Sequence, residues 1–297
     1  MCLLEANFFL EEMKSEQSMF APVAVSICHV VIAGVCCIYD PGLIWGFRGI
    51  PSIGLLVLSI FLLWRCTGDP GFLTIPSSFE LAESAASLES PQTGRLELPI
   101  KSRTEENVQL RFCTICQLTQ PIRTKHCSDC NACVRTYDHH CPWIGTCVGE
   151  LNRYWFLTYL WGEFFTLVWF FLNSLGSILV HAGDRSKLGQ MALLIFAIMV
   201  MSVFLLMTGL LGTYHIFLCV TNLTTWEHSS WHKITYLEDL KESRGSPFAH
   251  PTIGGNVKMY FSIPGWVERD DQGWIVWRRG TQHRVVGNFF RNCCDSC

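Results

Sequence analysis

Hydrophobic positions along the chain gather into four long blocks that carry almost no charge. A bilayer core is crossed by about 20 helical residues, at roughly 1.5 Å of rise each, and every block meets or approaches that length. The first runs from about Phe20 to Tyr39 and the second from about Ile50 to Trp64, with Leu43 as its earliest start. The third, YWFLTYLWGEFFTLVWFFLNSLGSILV, covers Tyr154 to Val180, and the fourth covers Leu188 to Val220. Asp40, Pro41 and Gly42 form the tight turn inside the first pair, and HAGDRSK separates the second pair. The pattern predicts two helical hairpins with a large polar segment between them.

Within that segment, Thr74 to Asn107 is rich in Ser and Glu and poor in aromatics, so it cannot bury enough apolar surface to order itself and reads as a flexible linker. Residues 111–152 then form a compact cysteine-rich module abutting the third span. The expected organisation is an N-terminal tail over 1–19, helices 1 and 2 over 20–66, a linker over 67–110, the module over 111–152, helices 3 and 4 over 153–220, and a C-terminal region over 221–297. No internal repeat of useful period is visible beyond the CxxC units.

Charge gives this layout a direction. One Lys lies in the N-terminal tail, nine Lys and Arg lie from Arg65 to Arg153 and nine from Thr221 onward, against one and two in the short loops. The positive-inside rule places both termini and the central module in the cytosol. The fold class is therefore an all-α polytopic membrane protein, four transmembrane helices with a cytosolic two-zinc cysteine-rich domain between the second and third. Hydrophobic content of 49%, 11 Trp and 20 Phe agree with membrane residence. A net charge of -3 without a long basic run argues against nucleic acid as a partner. The first 19 residues hold four Glu and one Lys, so no cleavable signal peptide is expected.

Cysteine changes the picture most. Of 16 cysteines, seven (Cys113, Cys116, Cys127, Cys130, Cys133, Cys141, Cys147) fall within 35 residues in CxxC-type spacings, which favours zinc in a reducing compartment over a disulfide framework. With His126, His139 and His140 they make ten candidate ligands. Tetrahedral structural zinc takes four donors, so two sites take eight and leave one cysteine and one histidine. Spacing alone does not say which cysteine is spare, although one flanked by His139 and His140 suits base-assisted nucleophilic chemistry.

The order Asp138, His139, His140, Cys141, inside a cysteine-rich module between membrane spans, resembles the DHHC family of protein S-acyltransferases, or palmitoyltransferases. Asp69, Pro70 and Gly71 match its DPG motif after the second span, and Thr224, Thr225, Trp226 and Glu227 match its TTxE motif after the fourth. Cys141 to Trp143 and Cys147 to Gly149 match its CPW and CVG flanks, and Pro247, Phe248, Asn256, Tyr260 and Phe261 resemble its C-terminal aromatic element more loosely. Gly145 and Thr146 stand where many members carry asparagines, which implies altered local hydrogen bonding and intact chemistry. The short length and NxTTWE tail resemble the family's ER and Golgi branch numbered twelve, so the resemblance implies a multi-pass protein of the Golgi or endoplasmic reticulum membrane.

By resemblance, one structural zinc is held by Cys113, Cys116, His126 and Cys133 and a second by Cys127, Cys130, His140 and Cys147. Cys141 is then the nucleophile, with His139 as its base and Asp138 orienting it. The implied reaction moves a fatty acyl group from acyl-CoA, palmitoyl-CoA in the usual case, to membrane-proximal cysteines of protein substrates, in two ping-pong steps. Arg123, Lys125, Arg135, Arg153 and Lys233 are expected partners for the CoA phosphates. Only 149–153 separate Cys147 from the third span, so Cys141 should lie at the membrane face, its acyl chain running among the helices.

Glu163 lies about 14 Å along the third span from Tyr154, where a hydrogen-bonded structural role is favoured over catalysis. His29, Asn173 and His215 read as packing glue, and Gly162, Ser174 and Gly176 as sites of close helix packing. Asp69 and Thr224/Thr225 read as structural support for the active site. Cys293, Cys294 and Cys297 suit either acylation or plain surface thiols. Two rival classes, a non-catalytic zinc interaction module and a channel, are disfavoured by the spare cysteine and by spans with few charges.

Overall fold

The computed structural model describes residues 2–73, 110–181, 183, 188–240, 246–262, 269 and 275. The linker expected over Thr74 to Asn107 and the terminal cysteines Cys293, Cys294 and Cys297 lie outside the described residues. Among the described residues, four helices are long and apolar enough to cross a membrane: Met19–Tyr39 within α1 (Cys2–Tyr39), α2 (Gly49–Cys66), α3 (Arg153–His181) and α4 (Leu188–Thr221). The stretch before Met19, expected as a separate tail, continues α1 backward.

Small residues let these helices approach. A Cβ on Gly162 of α3 would meet Leu62 Cδ1 of α2 at 2.7 Å, and one on Gly212 of α4 would meet the Trp161 ring of α3 at 3.2 Å, so close packing is the role of Gly162, as its sequence suggests. Large apolar side chains such as Phe61, Leu206 and Leu210 point outward, as a lipid solvent permits. At the end of the bundle away from the cysteine-rich module, Arg48 pairs with Asp40 at 2.8 Å and donates to Asn173 at 2.8 Å, while Ser177 donates to Asp40. One arginine thus ties the α1–α2 turn to α3.

The cysteine-rich module departs from the all-α expectation. It holds six three-residue strands in three antiparallel hairpins: β1 (Arg111–Cys113) with β2 (Leu118–Gln120), β3 (Lys125–Cys127) with β4 (Ala132–Val134), and β5 (His139–Cys141) with β6 (Thr146–Val148). Three residues are too few to show an alternating pattern, which is why the sequence hides them. The hairpins also correct the expectation of no repeat. The first strands begin at Arg111, Lys125 and His139 and the second at Leu118, Ala132 and Thr146, so the unit recurs every fourteen residues. Each turn ends on a left-handed residue, Gln117 (φ 52), Asn131 (φ 51) and Gly145 (φ 67), a conformation that glycine and asparagine tolerate best. Gly145 therefore suits its turn.

Backbone bonds hold the module to the helices. Asp69, just past α2, accepts from Gly71 and Phe72 N–H, and the strand-like segment after it pairs with β4, with Leu73 N–H donating to Cys133 O at 2.8 Å and Arg135 N–H to Gly71 O at 2.9 Å. Asn152 donates to Cys66 O and Cys147 O, both at 2.9 Å, and accepts from Gly149 N–H. It joins α2, the third hairpin and the start of α3.

The chain after α4 closes over the module. Thr224 and Glu227 form a reciprocal capping box at the start of α5 (Thr225–Ser230). Glu227 also receives Arg123 through two bonds of 2.7 Å and Tyr236 Oη at 3.0 Å, with both charged side chains fully buried. Asn256 of α6 (Ile253–Tyr260), also buried, donates to Val220 O and His250 O, and so pins this last helix to the end of α4.

Candidate active site and metal centres

The fourteen-residue repeat explains the ligand arithmetic. In each of the first two hairpins, CxxC straddles the turn, and the next hairpin supplies a histidine from its first strand and a cysteine from its second. The result is two groups whose donor atoms lie within 4.8 Å of one another, Cys113, Cys116, His126 and Cys133, and Cys127, Cys130, His140 and Cys147. His140 Nδ1 lies 3.4 Å from Cys130 Sγ and 3.7 Å from the sulfurs of Cys127 and Cys147, and Cys130 and Cys147 sulfurs are 3.5 Å apart. A tetrahedron with metal–sulfur bonds of about 2.3 Å and metal–nitrogen bonds of about 2.0 Å has edges of roughly 3.5 to 3.8 Å, so the donors fit. Backbone N–H groups of Cys116 and Cys130 point at the sulfurs of Cys113 and Cys127, as supports for thiolate ligands. In the second group a hydrogen bond from Cys147 draws the Cys130 thiol down to about 5. Both groups can hold a metal ion.

The third hairpin has the same frame with one substitution that matters. Its first cysteine is Cys141, but the position of the second is taken by Ile144, and no fourth hairpin follows to add a histidine and a cysteine. Cys141 therefore belongs to neither group, alone among the seven cysteines of the module. It is buried among Leu63, Ile144, Phe156 and Tyr159.

Beside it, His139 Nδ1 stands 2.6 Å from Asp138 Oδ2, while Asp138 Oδ1 accepts from the Thr225 backbone N–H at 2.8 Å. The carboxylate is thus clamped between its imidazole and the start of α5, and the ring is oriented: Nδ1 faces an acceptor and donates to it, and Nε2 turns to Cys141. Burial is the largest influence on His139 and opposes its charging, but Asp138 and Cys141 together outweigh it and push its pKa up to about 10. Burial likewise acts to raise Asp138, and the His139 hydrogen bond prevails, holding the carboxyl well below the usual range. Phe156 of α3 stacks edge-on against His139 with centroids 5.3 Å apart, and His215 of α4 stands 5.9 Å away. From the sequence His215 reads as helix packing; its place beside His139 depends on how α4 crosses α3, which no local pattern encodes.

Cys141 also lines a cavity of about 230 Å³ among the four long helices, together with Trp143, Leu160, Leu167, Phe170 and Met201. Its wall is mainly apolar, with His29, Tyr159 and Glu163 as the ionisable side chains besides the cysteines.

The expected CoA partners separate into two kinds. Arg123, Arg135 and Arg153 are buried and engaged within the protein, Arg123 with Glu227, Arg135 with Glu150 at 3.5 Å and Ile275 O at 2.9 Å, and Arg153 with Met259 O and the Tyr260 ring. They fasten the C-terminal region, and the expectation that they meet phosphates is corrected: a guanidinium is spared desolvation cost when internal carboxylates and carbonyls replace water. Lys125 lies over the Tyr137 ring at 4.7 Å, half-buried, and Lys233 is exposed.

A family model described as DHHC palmitoyltransferase matches residues 106–232. The chain is 30% identical over 235 residues to Palmitoyltransferase ZDHHC12 of Homo sapiens, covering 74% of this chain and 79% of that one. It is 36% identical over 218 residues to Palmitoyltransferase ZDHHC12 of Mus musculus, covering 71% and 73%. With Palmitoyltransferase ZDHHC18-B of Danio rerio it shares 32% over 224 residues, 69% of this chain and 55% of the longer relative.

Proposed function

The chain belongs to the DHHC palmitoyltransferase family, and from that premise we propose that it is a protein S-acyltransferase, moving a fatty acyl group from acyl-CoA to protein cysteines through an acyl-enzyme at Cys141. One observation carries the reading: the cysteine left outside both metal groups contacts an imidazole held by Asp138 and opens onto an apolar cavity between the helices.

The two Cys/His groups are zinc sites, one for each pair of adjoining hairpins. Zinc supplies the cross-links that a module of three-residue strands lacks. The chain's own residues perform the transfer. His139, whose raised pKa favours the imidazolium, holds at Nε2 the proton that Cys141 gives up, and the thiolate attacks the thioester carbonyl. The carbon–sulfur bond to CoA breaks as His139 returns the proton to the leaving thiolate. In the second half a substrate cysteine gives its proton to His139, attacks the Cys141 thioester, and Cys141 leaves as thiol. One thioester is exchanged for another, so no further energy source enters. Asp138, itself positioned by Thr225, keeps the imidazole in the orientation that both halves need.

The acyl chain occupies the cavity and the CoA phosphates meet Lys125 and Lys233. Both termini and the module face the cytosol, the substrates are proteins with cysteines near the membrane, and residence is in the Golgi or endoplasmic reticulum membrane. Incubation with labelled palmitoyl-CoA tests the core of this: hydroxylamine-labile label on the wild type and none on Cys141→Ser is expected. Equal labelling of both proteins sinks the assignment of Cys141.

A further inference from the structure

His29 of α1 and Glu163 of α3 line the same cavity as Cys141. His29 Nε2 stands 2.6 Å from Glu163 Oε2, the Ser59 hydroxyl of α2 donates to that same oxygen, and His29 Nδ1 lies 2.7 Å from Val25 O. A carbonyl only accepts, so Nδ1 carries a proton, and one further proton is shared between Nε2 and the carboxyl. The pair is neutral overall and ties three helices. That accounts for Oε2. It leaves Oε1, which makes no hydrogen bond among the described residues and is not among the polar atoms sealed from the surface.

Position along α3 says what this oxygen meets. Phe156 packs on His139 and marks the reacting end. Glu163 lies seven residues further, about 10 Å along the helix, and Phe170, also in the cavity wall, lies fourteen residues further, about 21 Å. A saturated chain advances about 1.3 Å per carbon, from single bonds of roughly 1.5 Å in a zigzag. An acyl chain on Cys141 therefore passes Glu163 near its eighth carbon and reaches Phe170 near its sixteenth.

Resting on the acyl-enzyme reading above, we propose that Glu163, held by His29 and Ser59, is a specificity-determining residue for the acyl chain. Its open carboxyl oxygen gains nothing from methylenes laid against it, and loses whatever polar neighbour it had, so it counts against saturated chains that run past it and spares medium-length chains that stop short. The ligands discriminated are long-chain and medium-chain acyl-CoA. The polar wall holds down a preference for the long chain that an apolar wall would allow in full.

The test is competition between hexanoyl-CoA and palmitoyl-CoA at equal concentration on the full-length protein, with the acyl masses on Cys141 read by mass spectrometry. The double variant His29→Leu/Glu163→Leu replaces the buried pair by apolar side chains, a change buried pairs often tolerate. It should raise the palmitoyl-to-hexanoyl ratio about fivefold to tenfold, the low end of the effect of one unsatisfied buried polar atom. Glu163→Gln keeps a polar end in the wall and should stay near the wild-type ratio. If the pair only braced the helices, both acylations would fall together; an unchanged ratio in a double variant that still acylates Cys141 overturns the proposal. Should the double variant fail to fold, Glu163→Leu with His29 intact is read by the same ratio, with the same two outcomes. A wild type that takes neither acyl group at Cys141 overturns the acyl-enzyme reading itself and this inference with it.

Discussion

Adjacent histidines have been given opposite work. His139 and His140 share a strand, so their side chains leave on opposite faces: His140 turns toward three sulfurs and His139 toward Asp138 and Cys141. The two alanine variants should therefore fail differently. His139→Ala is expected to slow acyl-enzyme formation by roughly 10²- to 10⁴-fold, the contribution of a positioned acid–base group, with zinc retained at two per chain. His140→Ala should lose one zinc and, with it, the ordered third hairpin. Rate and metal content measured on both proteins check this, and loss of zinc from His139→Ala contradicts it. The residue types and their number can be read from the sequence, and the structure gathers eight of the donors into two groups that could hold a metal, with Cys141 outside both. Which face each histidine presents is a property of strand pairing, and three-residue strands leave no periodic trace.

Between elements, the polar links matter more than any one span. Arg123 and Glu227 join the module to α5 in a pair without exposed surface, so removing one partner leaves a buried charge uncompensated, at a cost of about 3 to 5 kcal/mol. Arg123→Met alone and Glu227→Met alone should each lower the thermal midpoint sharply, and the double variant should recover much of the loss; additive losses in the cycle would show that the two side chains do not act as a pair. Gly149 makes a steric counterpart. A Cβ there would meet Pro70 O at 2.5 Å and Val134 Cγ1 at 2.7 Å, both fixed by the pairing of the DPG segment with the module. Gly149→Ala is expected to loosen that seam and reduce Cys141 acylation, whereas Gly176→Ala, whose Cβ would meet nothing within 4 Å, should leave it unchanged. The motifs at 69–71 and 224–227 were recognisable as helix-end supports. Their targets were not, since Asp138 and Arg123 lie far away in sequence.

Over the whole molecule, a bundle of long apolar helices and a module with two candidate metal groups meet at Cys141, and the proposed reaction needs both. Hairpins this short bury little apolar surface, so chelation of both zincs should unfold the module and abolish Cys141 acylation while helix content by circular dichroism stays high. Retained acylation after full zinc removal would show that the metals are not what holds the module. Long apolar blocks, the polar segment between them, the ligand inventory and the one surplus nucleophile were fixed by the sequence itself, because hydrophobic length and CxxC spacing are local properties. Tertiary structure alone decided that three arginines serve as internal fasteners, that His215 stands beside the His139 imidazole, and that Glu163 sits in the wall of the cavity. Each of those depends on how helices cross and hairpins dock, where residues distant in the sequence become neighbours and no pattern along the chain records the encounter.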